Sequence, residues 1–424
     1  MPAAPQDILA TVVDPKAHAD APRLNAAFAW LRQNDPLARA ELPGYDPFRI
    51  VSKHADILEI SRDSALFPYG DFPSTFAPHD QVERGREARA AGRPLIYTLV
   101  QMDEPDHMKY RALTQAWFMP KNIASLEGRI RELAREAVAR METLGGQCNF
   151  VDEVALHFPL RVIMEILGVP REDEPRMLKL TQELFGATDP DLRRKGDEST
   201  PEARQQVVQA AMMDFFNYFK MLTEERRANP RDDVASTIAN AQVDGQPISD
   251  LDVMSYYLII ATAGHDTTSS STAGAMWALA ERPDELAKVR ANPALIPGLV
   301  DESIRWTTPV RHFMRSAAAD TTLRGQAIAK GEWLMLCYPS GNRDEEVFED
   351  PYEFRVDRSP NRHLAFGYGA HLCLGQHLAK MEMRILWEEL LPRLKAVELA
   401  GEAKLSEANF VNGPKALPIQ YVLT

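Results

Sequence analysis

A mainly α-helical fold with small β-sheets, built as one large domain, is what the sequence predicts. Apolar residues recur at helical spacing over most of the chain, and the longest such run spans residues 250–281. Strand-like runs are short and gather late, near 310–314, 321–324 and 333–337, with Gly325 and Gly331 punctuating the turns between them. No Pro/Gly/Ser-rich linker divides the 424 residues, so 1–424 reads as a single domain, with 1–20 an N-terminal extension and 21–424 the body.

In chain order, residues 22–33 show helical spacing behind a capping Asp20, and Asn34-Asp35-Pro36 ends them. Turn chemistry at 43–47 leads into a short strand at 48–51, and 53–61 is helical again. Residues 67–93 carry Pro68, Pro73 and Pro78 and read as one long irregular loop, of the kind that covers a ligand pocket. Asp103-Glu104-Pro105 is helix-start chemistry, and on the helix that follows His107 and Arg111 are four apart and share a face. Further helices are expected at 124–144, 158–167, 173–185, 202–227 and 296–306, and a C-terminal β-hairpin at 410–422 around Gly413-Pro414.

The run at 250–281, capped by Ser249, would be about 45–50 Å long and cross the whole molecule. Its centre, Ala263-Gly264-His265-Asp266-Thr267 followed by hydroxyls to Thr272, is poor helix design. Glycine costs about 1 kcal/mol against alanine there, and Ser/Thr compete for the helix carbonyls. Broken local rules at one spot point to function, or else to a kink relieved by hydroxyl back-bonding.

Composition narrows the class. A net charge of −13 argues against nucleic acid and anionic membranes as partners. Three scattered cysteines build no disulfide framework, which fits a reducing cytoplasm. The first sixteen residues lack a basic, then apolar, leader pattern, and no apolar run approaches membrane-spanning length.

The chemistry concentrates at Phe366-Gly367-Tyr368-Gly369-Ala370-His371-Leu372-Cys373-Leu374-Gly375, where three glycines surround one cysteine at the mouth of a helix. Backbone N–H groups and the helix dipole there favour a thiolate. A zinc site could take His371, Cys373 and His377 but has no fourth ligand at usual spacing. A catalytic thiol needs a base oriented by a third group, and nothing marks that group. A haem axial ligand uses the glycines for close backbone approach, with His107, Arg111, Arg315 and His371 offered to the two propionates.

The 366–375 stretch resembles the haem-binding loop of the cytochrome P450 family at every signature position. Glu302-Ser303-Ile304-Arg305 with Arg358 resembles the family's Glu-x-x-Arg cluster, 263–267 its oxygen-activating segment, and 103–111 its propionate-binding helix start. The motifs stand in family order and cover the chain from about residue 25 onward. Several segments, among them 177–182, 261–271 and 342–348, are similar to the soluble bacterial type acting on α-terpineol.

The resemblance implies a haem b monooxygenase that hydroxylates a small hydrophobic substrate: a monoterpene such as α-terpineol or p-cymene, or a small aromatic hydrocarbon. Cys373 would ligate the iron, with Ala263, Phe366, Gly367 and Gly375 also lining the cofactor. Gly264 would let the central helix open, Thr267 would donate to dioxygen, and Asp266 would relay protons. Glu302, Arg305 and Arg358 would form a structural network. Tyr97, Thr98, Leu184, Phe185, Thr262, Ala263, Val310, Phe313, Phe410 and Val411 are the expected substrate contacts. No Gly-x-Gly-x-x-Gly accompanies a strand–helix turn, so electrons from NAD(P)H would arrive through an external reductase and an iron–sulfur ferredoxin. Lys109, Arg111, Lys121, Arg362 and Lys380 are candidates to steer it. A cytoplasmic monomer is expected. The alternatives are a peroxide-dependent peroxygenase, which would lack the acid–threonine pair, and a haem sensor, which would need no substrate pocket.

Overall fold

The computed structural model describes residues 3–70, 73–92, 96–186, 188–196 and 200–424, without the side chains of 185, 201, 202, 204 and 205. Phe185, expected against substrate, therefore lies outside the described side chains, as does Phe72 in the 67–93 segment. The central helix runs from Asp250 to Glu281 without interruption, and Ser249 closes a reciprocal capping box with Asp252. Around it pack His157–Leu167, Glu174–Phe185, Pro201–Ala228, Ile296–Thr307 and Gln376–Leu390. These helices bury one continuous core that includes Ile163, Phe215, Phe219, Tyr257, Met276, Leu386 and Trp387. Among the described residues no helix is long and apolar enough to cross a membrane.

Two sheets flank the helices. One has the order Arg39–Ala40, Phe48–Val51, Trp333–Cys337, His312–Ser316, and its one parallel pair sets Phe48 opposite Trp333. The other places Pro418–Leu423 between Leu394–Leu399 and Gln147–Asn149.

Two expectations need correction. Residues 410–422 are not a hairpin: Pro414–Ala416 pairs with Lys404–Leu405, and Pro418–Leu423 pairs with Leu394–Leu399 and Gln147–Asn149. The turn residues were visible, but nothing local tells which strands flank the turn, and one partner, Gln147–Asn149, lies about 270 residues earlier. The 67–93 segment is not wholly irregular, because His79–Ala90 is a helix. With Val82 its one buried residue, that helix shows almost no apolar stripe to read. Just past the central helix, Pro283 begins another, Pro283–Ala291, for which its missing N–H is no loss.

Candidate active site

The cysteine loop is tied down from several directions. Cys373 N donates to Phe366 O at 2.9 Å, and Gly367 N to Leu364 O at 2.9 Å. Leu364 N in turn donates to Asn342 Oδ1, and Arg111 Nη2 donates to Leu372 O at 2.8 Å. The helix Gln376–Leu390 begins three residues past the cysteine. N–H groups of Gly375 and Gln376 point at the sulfur, and Arg111 lies near it, yet burial outweighs all three and pushes the thiol above its ordinary value. The N–H groups and Arg111 act toward the thiolate, as the helix mouth suggests, while burial acts against it.

The three glycines have different reasons. Gly369, at φ +72°, leaves so little room that a Cβ would sit 2.1 Å from Ser61 O, so it serves contact with the helix His54–Arg62 rather than with a flat ligand. Gly367, at φ +70°, needs a left-handed backbone. Gly375 has neither a positive φ nor any protein atom within 4 Å of an added Cβ. Of the three it is the one whose smallness the protein itself does not explain.

Around the loop the proposed cationic groups converge. The rings of His107 and His371 lie 4.0 Å apart. Burial lowers both imidazoles, and for His371 the neighbouring Arg315, His107 and Arg111 add to it. In the protein alone burial and the neighbouring cations therefore favour neutral imidazoles, and Arg111 and Arg315 supply positive charge beside them. The sequence reading missed Tyr69. Its ring lies edge-on to His371 at 5.0 Å with the Arg315 guanidinium 3.8 Å over its face. Tyr69 and Gly70 N–H groups both bind the Asp103 carboxylate. Pro68 marked the segment as irregular, but nothing in it shows the place of Tyr69 beside Asp103, Arg315 and His371, far along the chain. Phe366 is half-buried under the Lys380 ammonium, 5.6 Å from its ring centre.

On the central helix the odd segment resolves into separate functions. His265 is wholly buried, bonding Thr181 Oγ1 at 3.0 Å and Leu156 O at 2.8 Å, so it is an anchor. Gly264 is packed against Ile163, whose Cδ1 would lie 2.5 Å from an added Cβ. Its smallness admits the neighbouring helix, and the central helix continues unbroken through it. Thr262, Thr267 and Ser271 back-bond to the carbonyls of Leu258, Ala263 and Thr267. Asp266 is buried enough that its carboxyl is raised, and its Oδ2 has no hydrogen-bond partner. One position beyond Thr267, Thr268 faces Glu382 of the helix Gln376–Leu390, which links the segment to the cysteine helix.

Of the expected substrate contacts, four come together: Val310 bridges to Val411, and Phe313 meets Phe410 at 5.6 Å. Thr262 is buried with its hydroxyl spent on Leu258 O. Tyr97 is tied to the central helix by its N–H to Ser255 Oγ, whereas Thr98 is buried with its N–H on Gln101. Leu184 and Ala263 are half-buried. Among the residues considered for partner steering, Lys109 and Lys380 are engaged by Asp244 and Asp301.

Behind the loop Glu302 is fully buried with Arg305 and Arg358, and hydrogen bonds from the arginines to it run from 2.8 to 3.1 Å. A sulfur with two N–H groups aimed at it, the buried Arg315 and half-buried Arg111 guanidiniums nearby and an otherwise unexplained Gly375 fit a haem with its propionates.

Comparison with known proteins agrees. The family model for cytochrome P450 matches residues 77–419. Cytochrome P450-terp of Pseudomonas sp is 47% identical over 98% of both chains. Linalool 8-monooxygenase of Pseudomonas putida is 33% identical, covering 93% of this chain and 95% of that one. The crystal structure of CYP108D1 from Novosphingobium aromaticivorans superposes over the full length of both chains with a TM-score of 0.90 and 46% identity. The chain belongs to the cytochrome P450 family: it is a monooxygenase that binds haem b and is supplied with electrons by external redox partners.

Proposed function

We propose that this chain, as one haem domain spanning 1–424, hydroxylates a small hydrophobic substrate of the monoterpene or simple arene type in the cytoplasm. Its electrons come from NAD(P)H through a reductase and an iron–sulfur ferredoxin. The observation that carries the reading is the buried Asp266 carboxyl next to Thr267, on the helix that packs against the cysteine helix. The stoichiometry is RH + O2 + two electrons + two protons, giving ROH and water. The two relatives named as Cytochrome P450-terp and Linalool 8-monooxygenase support the terpene class.

Cys373 would hold the iron through its sulfur, and Arg111, Arg315, His107, His371 and Tyr69 would hold the propionates. When bound, the haem activates dioxygen so that one oxygen atom enters a C–H bond. Phe366 covers the sulfur. Burial raises the Asp266 carboxyl, which favours its protonated form, and from there a proton passes toward Thr267 Oγ1. Thr267 in this rotamer gives its own proton to Ala263 O, so turning about its Cα–Cβ bond frees that proton for the reaction. Val310, Phe313, Phe410 and Val411 offer an apolar wall that selects by shape.

Titration of the haem-loaded protein with monoterpenes and arenes, followed by ferredoxin-driven turnover, tests this. A Soret shift from low to high spin and NAD(P)H-dependent alcohol are expected. No shift with any hydrophobic compound would favour a sensor, and product from peroxide alone a peroxygenase. Thr267→Ala should keep the haem but divert reducing equivalents to peroxide, and unchanged product per NAD(P)H would remove Thr267 from the mechanism.

A further inference from the structure

His312 begins the strand His312–Ser316, is 3% exposed, and points to the face of the strand opposite Phe313. Its two ring nitrogens meet two segments far apart in sequence. The Phe76 N–H donates to Nε2 at 2.9 Å, and Nδ1 lies 2.9 Å from Asn409 O. A backbone N–H can only donate and a carbonyl can only accept, so the ring is held as the neutral tautomer with its proton on Nδ1.

The two segments are otherwise fixed to different ends of the strand. The chain before Phe76 follows the strand's edge, with Ser316 N donating to Pro68 O and Met314 N to Ser74 O. The Phe76 ring then stacks on Tyr45 at 4.5 Å and lies 4.9 Å from Phe48. The 409–412 segment is fixed to the residues around the start of the strand: Arg311 N donates to Phe410 O and Asn412 N to Pro309 O. From the far side, Asn409 Nδ2 donates to Val13 O at the end of the helix Gln6–Val13. His312 stands where these two sets meet and bonds both.

The consequence lies one residue on from Asn409. The Phe410 ring sits 5.7 Å from the His312 ring and 5.6 Å from the Phe313 ring, edge-on to both. Phe313 and Phe410 are half-buried while His312 is enclosed, so the imidazole backs the apolar wall rather than forming its surface. An apolar residue of similar size would fill the site but strand the Phe76 N–H and the Asn409 carbonyl, and each segment would shift to find a partner.

We propose that His312 is a specificity-determining positioning residue. By bonding Phe76 and Asn409 at once it sets the gap between Phe313 and Phe410, and so which C–H bond of a small hydrophobic substrate the wall presents for hydroxylation. The proposal rests on the reading of these two rings as substrate wall, and His312 acts through Phe410 without touching substrate itself.

His312→Leu, Phe410→Ala and the double variant are compared in the haem-loaded enzyme, with α-terpineol and p-cymene as probes. Haem content and the ferrous–CO band report the fold, Soret titration reports affinity, and the ratio of product alcohols reports regiochemistry. His312→Leu is expected to weaken the Soret response about tenfold. It should also add a second alcohol while haem content and the CO band stay as in the parent. Because the residue acts through Phe410, His312→Leu should change affinity by less than about twofold once Phe410 is alanine. Equal effects with and without Phe410, or an unchanged alcohol ratio in the single variant, overturn the proposal. Should His312→Leu lose haem, His312→Asn takes its place: it keeps a donor for Asn409 O, gives up the bond to Phe76, and is judged by the same comparison. If Phe410→Ala changes affinity and products and the His312 variant does not, only the positioning role fails. A silent Phe410→Ala, or no Soret response of the parent to either probe, removes the reading beneath the proposal and the proposal with it.

Discussion

Replacing Glu302 by glutamine probes the link between a buried ion cluster and cofactor retention. The Glu302 carboxylate receives Arg305 Nε and Nη2, Arg358 Nε, the Arg355 N–H and Asn361 Nδ2, all within 3.1 Å. Burial alone would raise this carboxyl, but these donors and charges, Arg305 foremost, hold it below its ordinary value, so it is ionised when folded. Glutamine keeps the volume but removes the charge and turns one acceptor into a donor facing guanidinium N–H groups. Arg305 and Arg358 keep their carbonyl partners but lose their counter-ion while 0% and 5% exposed. Stranding one side of a buried pair costs about 3–5 kcal/mol, a large part of a stability of about 5–15 kcal/mol. The effect reaches the cysteine loop through two links: Arg305 Nη1 donates to Asn342 O, and Asn342 Oδ1 receives Leu364 N. Urea unfolding followed by tryptophan fluorescence, together with the haem-to-protein ratio, measures both. A loss below about 1 kcal/mol with full haem content would refute the argument, since no buried guanidinium could then have been left unpaired.

Three further outcomes follow from the geometry. His312 accepts the Phe76 N–H at Nε2 and donates from Nδ1 to Asn409 O, so it folds neutral, and burial lowers it to about 4. The unfolded imidazole takes up a proton below pH 6.5 and the folded one does not, so this contribution is full above 6.5 and declines toward 4. The loss should be about 2 kcal/mol at pH 5, and His312→Gln should flatten stability against pH in that window. Gly369→Ala should abolish stable haem binding, because the clash is with a backbone carbonyl and φ is positive, and near-normal incorporation would refute this. Gly264→Ala should cost about 1–3 kcal/mol by overpacking Ile163. Adding Ile163→Ala should recover part of that, and strictly additive losses would place the crowding elsewhere.

What the sequence made legible was what is local. The central helix, its Ser249 cap and the strand 333–337 were readable because period and cap chemistry sit in neighbouring residues. The Glu302–Arg305–Arg358 cluster was readable only through the family resemblance. Tyr69 was invisible, because its value lies in a stack with Arg315, 246 positions away, rather than in any pattern of its own. The C-terminal strands failed in the same way, since Gly413-Pro414 announces a turn but not which strand comes next to it. Gly264 shows a subtler limit: the anomaly was found, but a glycine that admits Ile163 and one that admits a ligand look alike in sequence.

The same limit bears on Cys373. A cysteine before a helix suggests an ionised sulfur by dipole and N–H donors, each of which is present here. Burial, which no local pattern reports, reverses the sign and keeps the thiol neutral in the protein alone. Asp266 shows burial doing the same to a carboxyl on the central helix. In both cases burial favours the neutral form, at Cys373 against two N–H groups and Arg111 and at Asp266 against His265. A single physical cause, the removal of two acids from water, therefore acts on both groups, and it depends on packing that the motifs mark but do not explain.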